Sequence, residues 1–201
     1  MTQVDRRARS RSALVEAAAR GLSRDGYSNL VLERVAREAG YTRGALYHQF
    51  ANKEDLALAV VRWVEETWWA EMSEAIADNA APVEALIGMA RAHAVFCRRD
   101  IARVHMVLSV EFSAQDHPVG QAIEEVVDRL VSECARLITA GRRNGTIPPG
   151  PPPRLLALAY LGAIEGLVIN VVGQAPFDEL LAERVARGVL DLPTMPASSR
   201  T

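Results

Sequence analysis

The stretch at residues 32–56, LERVAREAGYTRGALYHQFANKEDL, constrains the fold of this chain more than any other segment. Its first apolar residues recur at helical spacing, and Gly40 supplies the left-handed backbone position at which a short helix usually ends. Thr42 is then placed to cap a second helix, on which Leu46 and Phe50 lie four residues apart and point inward together. The pattern predicts two short helices joined by a tight turn, with a third helix beginning immediately after it.

Two short helices that cross over a tight turn containing glycine form a helix-turn-helix, whose second helix enters the major groove of DNA. The run AGYTRGALYHQFANKEDL, preceded by ALVEAAARGLSRDGY at residues 13–27, resembles the N-terminal domain of the tetracycline-repressor (TetR) family of bacterial transcriptional regulators. The resemblance implies an all-α fold, in which a three-helix N-terminal helix-turn-helix DNA-binding domain precedes a C-terminal helical domain for ligand binding and dimerisation.

The same resemblance places the residues that contact DNA. They lie on the exposed face of the recognition helix and at the start of the next helix: Thr42, Arg43, Gly44, Tyr47, His48 and Lys53. The chemistry agrees, because Arg43 lies in the first turn, where its planar fork can pair with guanine, and Gly44 permits close approach. Tyr47 and His48 can reach phosphate or sugar oxygens, and Lys53 adds charge to a helix N-terminus that favours anions. For any one of these residues alone, a solvated surface position is an equally good interpretation.

The start of the helix-turn-helix departs from the family pattern. A Ser or Thr commonly opens the first helix of the motif, whereas this chain has Leu30 and Val31 at that point. We therefore expect Ser28 or Asn29 to cap that helix instead. Residues 1–9 are predicted to form a flexible basic arm, whose arginines either contact phosphate and an adjacent minor groove or have no specific role.

The charge of the chain divides unequally along its length. The 201 residues include 23 Lys or Arg and 25 Asp or Glu, which gives a net charge of −2. Residues 1–54 carry ten basic and six acidic side chains, a balance of +4, and residues 55–201 carry thirteen and nineteen, a balance of −6. A basic N-terminal segment on an acidic body is typical of a nucleic-acid-binding domain joined to a solvated partner domain, although chance clustering produces the same pattern.

Apolar periodicity and the positions of prolines predict helices throughout the chain. The first is expected from about Ser10 or Ser12 to Asp25, and the helix after the helix-turn-helix from Lys53, capped by Asn52, to about residue 78. Further helices are predicted at residues 82–98, 101–114, 118–143, 153–172 and 178–190, three of which begin at a proline. No segment predicts a strand, and the Pro- and Gly-rich run at residues 144–153 predicts a linker.

These elements suggest a DNA-binding domain at residues 1–54, a ligand-binding and dimerisation domain at residues 55–192, and a disordered tail at residues 193–201. Cys97 and Cys134 lie in apolar helical surroundings, and the basic N-terminus is not followed by the apolar segment of a signal peptide. We therefore expect a cytoplasmic protein with free, core-packed thiols.

The apolar segment at residues 155–172, LLALAYLGAIEGLVINVV, is long enough to raise the question of a membrane span. Glu165 and Asn170 argue against a span, because a carboxylate near the bilayer centre costs about 2.5–3.5 kcal/mol. In a soluble protein, a helix that is apolar nearly all round is covered by its own core on one side and by a partner on the other. By the family resemblance, a four-helix bundle between two subunits would contain Leu155, Ala159, Gly162, Gly166, Ile169, Leu181, Val185 and Val189.

The family resemblance also implies a small-molecule pocket among the helices between these two ends. The candidate ligand contacts are Trp63, Trp68, Met89, His93, Phe96, His105, Met106, Phe112, Tyr160 and Asn170. Most of these side chains are expected to be ordinary core, since a Met or aromatic residue on an apolar helix face usually packs. The polar groups of His93, His105, Tyr160 and Asn170 need partners inside an apolar region, and a ligand could supply some of them.

The sequence gives little support to a cofactor, a metal or catalysis. His93 and Cys97, four residues apart, could share a metal with His105, but no carboxylate or second cysteine is spaced to complete the set. No nucleophile elbow, zinc-protease motif, phosphate-binding loop or dinucleotide fingerprint occurs. We therefore predict no cofactor, no metal and no enzymatic activity.

These observations and the resemblance predict a homodimeric transcriptional regulator. We expect a repressor that binds a palindromic operator in double-stranded DNA and is released by a small hydrophobic or amphipathic effector. One alternative is an all-α enzyme or small-molecule carrier that uses His93, Cys97 or Glu165 in an apolar cavity. Another is a membrane-associated interaction protein built on residues 155–172. The sequence does not identify the effector or the operator, and it does not distinguish a repressor from an activator.

Overall fold

The computed structural model describes residues 3–77 and 81–193, and every regular element in those two ranges is an α-helix. In chain order the helices are α1 (Gln3–Asp25), α2 (Leu32–Glu38), α3 (Arg43–Tyr47), α4 (Lys53–Ala77), α5 (Pro82–Phe96), α6 (Val104–Phe112), α7 (Pro118–Arg143), α8 (Pro153–Val171) and α9 (Phe177–Val189). The predicted all-α fold is therefore confirmed, and the predicted linker lies between α7 and α8. Residues 194–201 of the predicted disordered tail lie outside the described residues.

The helices form two compact units. Unit 1 consists of Met1–Thr67 and Arg99–Val126, and unit 2 consists of Trp68–Arg98 and Val127–Thr201. α4 and α7 each contribute their first part to unit 1 and their second part to unit 2. α6 and the start of α7 thus belong to the same unit as α1, α2 and α3. The functional boundary expected between residues 54 and 55 stays a prediction.

The core of unit 1 forms around the inner face of α1. Four apolar residues at helical spacing on that helix have no exposed surface, as their periodicity predicts: Leu14, Ala17, Ala18 and Leu22. Leu46 of α3 and Phe50 just after it are buried in the same unit. Burying a Leu or Phe side chain is worth about 1.5–3 kcal/mol, whereas isolated helices this short are unstable in water. Packing therefore holds the seven-residue α2 and the five-residue α3 in place.

α1 begins earlier than the sequence predicts. The N-terminal arm that we expected to be flexible is helical from Gln3 onward, so the predicted helix start near Ser10 is wrong. The side-chain amide of Gln49 donates to the Ser10 hydroxyl at 2.9 Å and to the Arg7 carbonyl at 3.4 Å. Arg11 in turn donates to the Gln49 carbonyl at 3.0 Å. These bonds from a segment distant in sequence support the first turns of α1, which local patterns did not indicate.

Two helices of unit 1 begin at the caps that the sequence predicts. Thr42 accepts a hydrogen bond from the Ala45 N–H at 3.2 Å at the start of α3. Asn52 accepts a hydrogen bond from the Asp55 N–H at 2.8 Å at the start of α4. The turn between α2 and α3 contains Gly40 with a φ of +77°, the left-handed conformation expected there.

α2 begins without a side-chain cap. Val31 occupies its N-cap position with an extended backbone (φ −103°, ψ 112°), and no side chain accepts a capping hydrogen bond there. The expectation that Ser28 or Asn29 caps this helix is wrong. The Ser28 hydroxyl donates to Glu111 on α6, and the Asn29 side chain donates to the Asp25 carbonyl of α1. Both polar side chains are thus used outside α2.

In unit 2, α9 packs against both α5 and α8. One face of α8 is buried within the chain and consists of Leu156, Ala157, Tyr160, Ile164 and Val168. By length and composition, Pro153–Val171 is the one helix of the described residues that could cross a membrane. Only 28% of its apolar window is buried, so the chain itself leaves most of that surface uncovered.

A buried ion pair anchors α9 in unit 2. Arg98, just beyond α5, donates to both carboxylate oxygens of Asp178 at 3.0 and 2.7 Å and to Glu179 at 2.6 Å. The Asp178 side chain has no exposed surface, whereas that of Arg98 is 29% exposed. The hydrogen bonds lower the pKa of Asp178 and raise the pKa of Arg98, and they join the end of α5 to the first turn of α9.

Candidate nucleic-acid interface and half-buried polar cluster

The recognition helix α3 carries an exposed polar surface. The five candidate contacts in and beside this helix are all solvent-exposed: Thr42, Arg43, Gly44, Tyr47 and His48. Leu46 of the same helix is fully buried, so it fixes α3 to the core and leaves the opposite side outward. The structure thus brings together on one surface the residues that the family resemblance indicates, and their contact with DNA stays a prediction.

Gly44 leaves space above α3. A Cβ at this position would meet only the Thr42 hydroxyl oxygen, at 3.8 Å, which is ordinary van der Waals contact. The packing of the chain therefore does not require a glycine here. The absence of a side chain instead lets another molecule approach the helix backbone closely.

Arg43 is held in place by neighbours within the free protein. Its guanidinium lies 2.6 Å from a carboxylate oxygen of Glu33 and 5.4 Å from the centre of the Tyr47 ring. Both side chains of the Arg43–Glu33 pair are largely solvent-exposed, at 61% and 49%. An exposed pair of this kind is worth only about 0–1 kcal/mol, so a stronger acceptor can replace Glu33.

The Lys53 side chain is bonded within the protein, although the resemblance predicts that it contacts a DNA phosphate. Its ammonium donates to the Ser28 carbonyl at 3.0 Å and lies 4.7 Å from the centre of the Tyr27 ring. Burial lowers the pKa of Lys53, although the nearby Glu111 carboxylate opposes that effect. Lys53 must give up this bond to contact a phosphate, and that contact stays a prediction.

The N-terminal turns of α1 place positive charge next to the end of α3. Arg6, Arg7 and Arg9 are all exposed, and the bonds from Gln49 hold this part of α1 against the segment that follows α3. The guanidinium of Arg11 lies over the Phe50 ring at 4.3 Å from its centre, which adds a cation–π contact at the same place. The arginines of a predicted flexible arm are thus presented by an ordered helix.

Glu111 of α6 is a contact residue that the sequence did not single out. One of its carboxylate oxygens accepts the Tyr27 N–H and the other accepts the Ser28 N–H, each at 2.6 Å, and the Ser28 hydroxyl also donates to it. Burial opposes the charge of Glu111, but these hydrogen bonds outweigh it and lower the pKa of the carboxyl. The uncapped start of α2 was the one signal in the sequence that a tertiary contact is needed there.

In unit 2, His93 lies at the centre of a half-buried polar cluster. The indole N–H of Trp68 donates to His93 Nδ1 at 3.0 Å. His93 Nε2 lies 3.0 Å from a carboxylate oxygen of Glu165 and 3.4 Å from the Cys97 sulfur. Both ring nitrogens of His93 therefore have protein partners, which lie on α4, on α8 and at the end of α5. A ligand is not needed to satisfy them.

The contacts of His93 favour opposite protonation states. Burial opposes a charge on the ring, hydrogen bonds with Cys97 and Glu165 favour it, and together these effects raise the pKa of His93 to about 10. The Trp68 bond requires an unprotonated Nδ1, because an indole N–H can only donate. A neutral ring that carries its proton on Nε2 satisfies both Trp68 and Glu165. A charged ring therefore requires Trp68 to move.

The candidate ligand contacts divide between the two units. Unit 1 contains Trp63, His105, Met106 and Phe112, and unit 2 contains Trp68, Met89, His93, Phe96, Tyr160 and Asn170. Met89, Phe96 and Tyr160 are each only 2% exposed, and the Tyr160 hydroxyl donates to the Leu86 carbonyl at 2.5 Å. Asn170 is exposed and donates to the Gly166 carbonyl of its own helix. Ligand contact by any of these residues stays a prediction.

Unit 1 contains a cleft of about 310 Å³, lined by Glu16, Arg20, Trp63, Arg99, Asp100 and Ile101. Trp63 is the one predicted ligand contact in this lining. In the part of the chain that the structure describes, no three His, Cys, Asp or Glu side chains are grouped so that they could hold a metal ion.

The predicted dimer-interface residues lie on the side of unit 2 that the chain leaves uncovered. The five on α8, which are Leu155, Ala159, Gly162, Gly166 and Ile169, are exposed, and the three on α9, which are Leu181, Val185 and Val189, are half-buried. A Cβ at either glycine would meet nothing within 4 Å. Leu158, Phe177 and Leu180, which the prediction did not name, are also exposed, at 46%, 62% and 48%. Their helical spacing from the predicted residues was the signal that could have placed them on the same exposed side.

Comparison with known proteins starts from the same N-terminal region. Residues 14–60 match the family described as bacterial regulatory proteins, tetR family. Over 179 residues the chain is 24% identical to the fatty acid metabolism regulator protein of Bacillus subtilis. This alignment covers 89% of this chain and 91% of that protein. Over 85 residues it is 35% identical to the HTH-type transcriptional repressor AcnR of Corynebacterium glutamicum, in an alignment that covers 42% of this chain and 43% of that protein.

The fold also matches solved structures over most of its length. AibR, in a crystal structure with isovaleryl coenzyme A and operator DNA, has a TM-score of 0.71 and 21% identity, covering 90% of this chain and 96% of that chain. At this identity the likeness concerns the fold. The segment that matches the family covers the exposed surface of α3, and the relatives are named as regulators. The N-terminal segment of this chain therefore matches the tetR family of bacterial regulatory proteins, and the chain as a whole shares its fold with AibR.

Proposed function

We propose that this protein is a cytoplasmic transcriptional repressor, which binds a palindromic operator as a homodimer and leaves it when a small hydrophobic or amphipathic effector binds. The observation that carries the proposal is the exposed polar surface of α3, which lies on a capped helix within the segment that matches the family. The name of AcnR as a repressor and the crystal structure of AibR with operator DNA support the same activity for this chain.

Sequence recognition falls to Arg43 in the first turn of α3. Its pair with Glu33 is exposed and worth at most about 1 kcal/mol, whereas a bidentate contact with guanine O6 and N7 discriminates between bases by about 1–3 kcal/mol. Exchanging Glu33 for guanine is therefore favourable at a matching site. Until then Glu33 and Tyr47 hold the guanidinium beside the helix, which reduces the conformational entropy lost on binding.

Backbone contacts come from the side chains around this reading position. Tyr47 and His48 are exposed at the end of α3, where they reach phosphate or sugar oxygens. Arg6 and Arg9 lie three residues apart on the same side of α1, next to that end, and add phosphate contacts that orient the protein without reading bases. Each such contact makes the affinity more sensitive to salt, because bound cations leave the DNA.

The uncovered side of α8 and the outer side of α9 form the dimer interface. Its large exposed side chains are apolar, and Gly162 and Gly166 allow the backbones of two α8 helices to approach closely. Two copies related by a two-fold axis would place their recognition helices one DNA turn apart, about 34–36 Å, as a palindrome requires.

The effector binds among the helices of unit 2, around the His93 cluster. Binding that displaces Trp68 from His93 changes the second part of α4, the same helix whose first turn follows the recognition helix. A coupling of about 1–3 kcal/mol per effector is enough to shift operator affinity about 5- to 150-fold. Because one relative is named for fatty acid metabolism and AibR was crystallised with isovaleryl coenzyme A, acyl compounds are the first effectors to test.

Selection of bound duplexes from random DNA tests the DNA-binding function and yields the operator. Arg43→Ala should weaken binding to the selected operator by about 5- to 150-fold, because the variant cannot make the bidentate bond with guanine. Arg143→Ala, at an exposed position at the end of α7, is the matched control and should bind as the wild type does. Recovery of no enriched sequence, or equal binding by both variants, contradicts the assignment of α3 as the reading helix.

Gly166→Leu tests the dimer. The substitution fits the isolated chain, because a Cβ at this position meets nothing within 4 Å, but it blocks close approach of a second α8. We expect folded monomers by analytical ultracentrifugation and circular dichroism, whereas Ser132→Leu at an exposed position on α7 should remain dimeric. A dimer of unchanged stability in Gly166→Leu contradicts the proposed interface.

A further inference from the structure

The first helix of the helix-turn-helix lacks local stabilisation at its start. The opening N–H groups of any helix have no partner within the helix, and a Ser, Thr, Asp or Asn at the N-cap usually satisfies one of them. In this chain Val31 holds that position and is 49% exposed. α2 is only seven residues long, so its own hydrogen bonds cannot compensate for the missing cap. Its orientation must be set by contacts outside the helix.

Glu111 supplies such contacts to the turn that leads into α2. The Tyr27 and Ser28 N–H groups donate to different oxygens of its carboxylate, at 2.6 Å each, although 84 and 83 positions in sequence separate the partners. The approach depends on Gly26, whose φ is +74° and where a Cβ would lie 2.8 Å from a Glu111 oxygen. The backbone of the turn is therefore shaped to receive this carboxylate.

The other side of the same turn is held by α4. Lys53, the first residue of α4, donates to the Ser28 carbonyl at 3.0 Å, so the Ser28 peptide units are bonded on both sides. The rings of Tyr27, Phe112 and His117 pack against one another next to these bonds, with centre-to-centre distances of 5.2, 5.3 and 4.4 Å. The turn is thus fixed between α6 and the start of α4 by contacts that belong entirely to unit 1.

We propose that Glu111 is a positioning residue for DNA binding: from α6 it holds the turn between α1 and α2 in place of a local helix cap, and so orients the recognition helix. The effect on DNA rests on the proposed function, whereas the effect on α2 does not. Because both carboxylate oxygens accept N–H donors, a glutamine is a poor substitute. Its amide group would direct N–H donors toward one of those backbone N–H groups.

Hydrogen exchange tests the structural half of this proposal without DNA. In Glu111→Ala, the backbone amides of Arg34 and Val35 should lose protection, because the entry to α2 is no longer held. The loss should correspond to a roughly two- to thirtyfold faster exchange, the range expected for a missing cap. Glu124→Ala, which removes the same charge at an exposed position on α7, is the control and should leave α2 unchanged. Glu111→Gln provides a milder variant if Glu111→Ala does not fold.

A compensating substitution separates positioning from general destabilisation. Val31→Thr places a hydroxyl at the N-cap, where the extended backbone suits a capping side chain. In the Glu111→Ala background this change should restore α2 protection and most of the affinity for the selected operator, which Glu111→Ala alone should lower by a similar two- to thirtyfold factor. In the wild-type background the gain should be much smaller, because the turn is already held.

The outcomes of this cycle are distinct. The proposal is supported if Val31→Thr increases α2 protection and operator affinity more in the Glu111→Ala background than in the wild-type background. That result shows that the new cap and Glu111 can each do the work of the other. Equal gains from Val31→Thr in both backgrounds show that the new cap and Glu111 act independently and overturn the proposal, as does unchanged α2 exchange in Glu111→Ala. If the wild-type protein binds no duplex, the proposed function fails while the exchange measurements still decide the role of Glu111.

Discussion

Replacing Arg98 with Met should destabilise the protein strongly, because it leaves the buried carboxylate of Asp178 without its charged partner and with only backbone N–H donors such as that of Glu179. Asp178 has no exposed surface, and both of its oxygens accept hydrogen bonds from Arg98. Removing one member of a buried pair costs about 3–5 kcal/mol, and the 29% exposure of Arg98 places this pair at the lower end, near about 3 kcal/mol. For a chain of this size each kcal/mol lowers Tm by about 2–4 °C, so we expect a fall of roughly 6–12 °C.

The size of this effect should depend on pH in one direction. Hydrogen bonds from Arg98 lower the pKa of Asp178 in the folded protein below the value of about 3.9 that an unfolded Asp has. A group with a lowered folded pKa contributes stability that is fully present above the unfolded pKa and is lost as pH falls through the folded pKa. The difference in Tm between wild type and Arg98→Met should be largest near neutral pH and shrink as pH falls, because the unpaired carboxylate of the variant accepts a proton before that of the wild type does.

Arg91→Met is the matched control for this measurement. Arg91 pairs with Glu183 at 3.5 Å, but its side chain is 48% exposed, so the pair is worth about 0–1 kcal/mol and Tm should fall by less than about 4 °C. Differential scanning calorimetry at one protein concentration measures both variants, which keeps any dimerisation term constant. Equal falls in Tm for the two variants would refute the reasoning, since Asp178 would then not depend on Arg98 as a buried charge.

Three further changes test other contacts. Replacing Arg6 and Arg9 with Gln should reduce the slope of log affinity against log salt by about 0.9 for each phosphate that the variant no longer binds. Fluorescence anisotropy of labelled operator measures this slope, and an unchanged slope contradicts a role for this end of α1 in DNA binding. Asn52→Ala should lower the free energy of unfolding in urea by about 0.5–2 kcal/mol, because it removes the cap of α4, and no measurable decrease would show that the cap contributes nothing. Trp68→Phe should raise the pKa of His93 in an NMR titration, because the indole no longer requires an unprotonated Nδ1; a lower pKa would contradict that account.

The recognition helix could be predicted because its determinants are local. Thr42 caps α3 within its own first turn, and Leu46 and Phe50 mark its inner face four residues apart. The outward residues then follow from helical periodicity alone, and all of the predicted ones on α3 are exposed. The same reasoning placed the start of α4 at Asn52, since its capping bond also lies within one turn.

The uncovered side of α8 was predictable to a similar degree, whereas no local pattern separates an effector contact from an ordinary core residue. The small residues of α8 repeat at helical spacing, so one side of that helix could be inferred without knowing what covers the other. The candidate ligand contacts, in contrast, share only an apolar or aromatic character, and the structure divides them between two units. Which of two apolar helix faces meets the core depends on packing between distant segments, and periodicity carries no information about it.

Local patterns were sufficient to predict the all-α class, the positions of nearly all helices and the outward face of α3, because caps, prolines and apolar spacing act within a few residues. Three features became evident only in the folded chain: α1 begins at Gln3, Lys53 donates to the Ser28 carbonyl, and Glu111 holds the turn before α2. These features depend on hydrogen bonds between segments as far as 84 positions apart. A hydrogen bond of that kind forms only after packing has brought its donor and acceptor together, so no local sequence pattern predicts it.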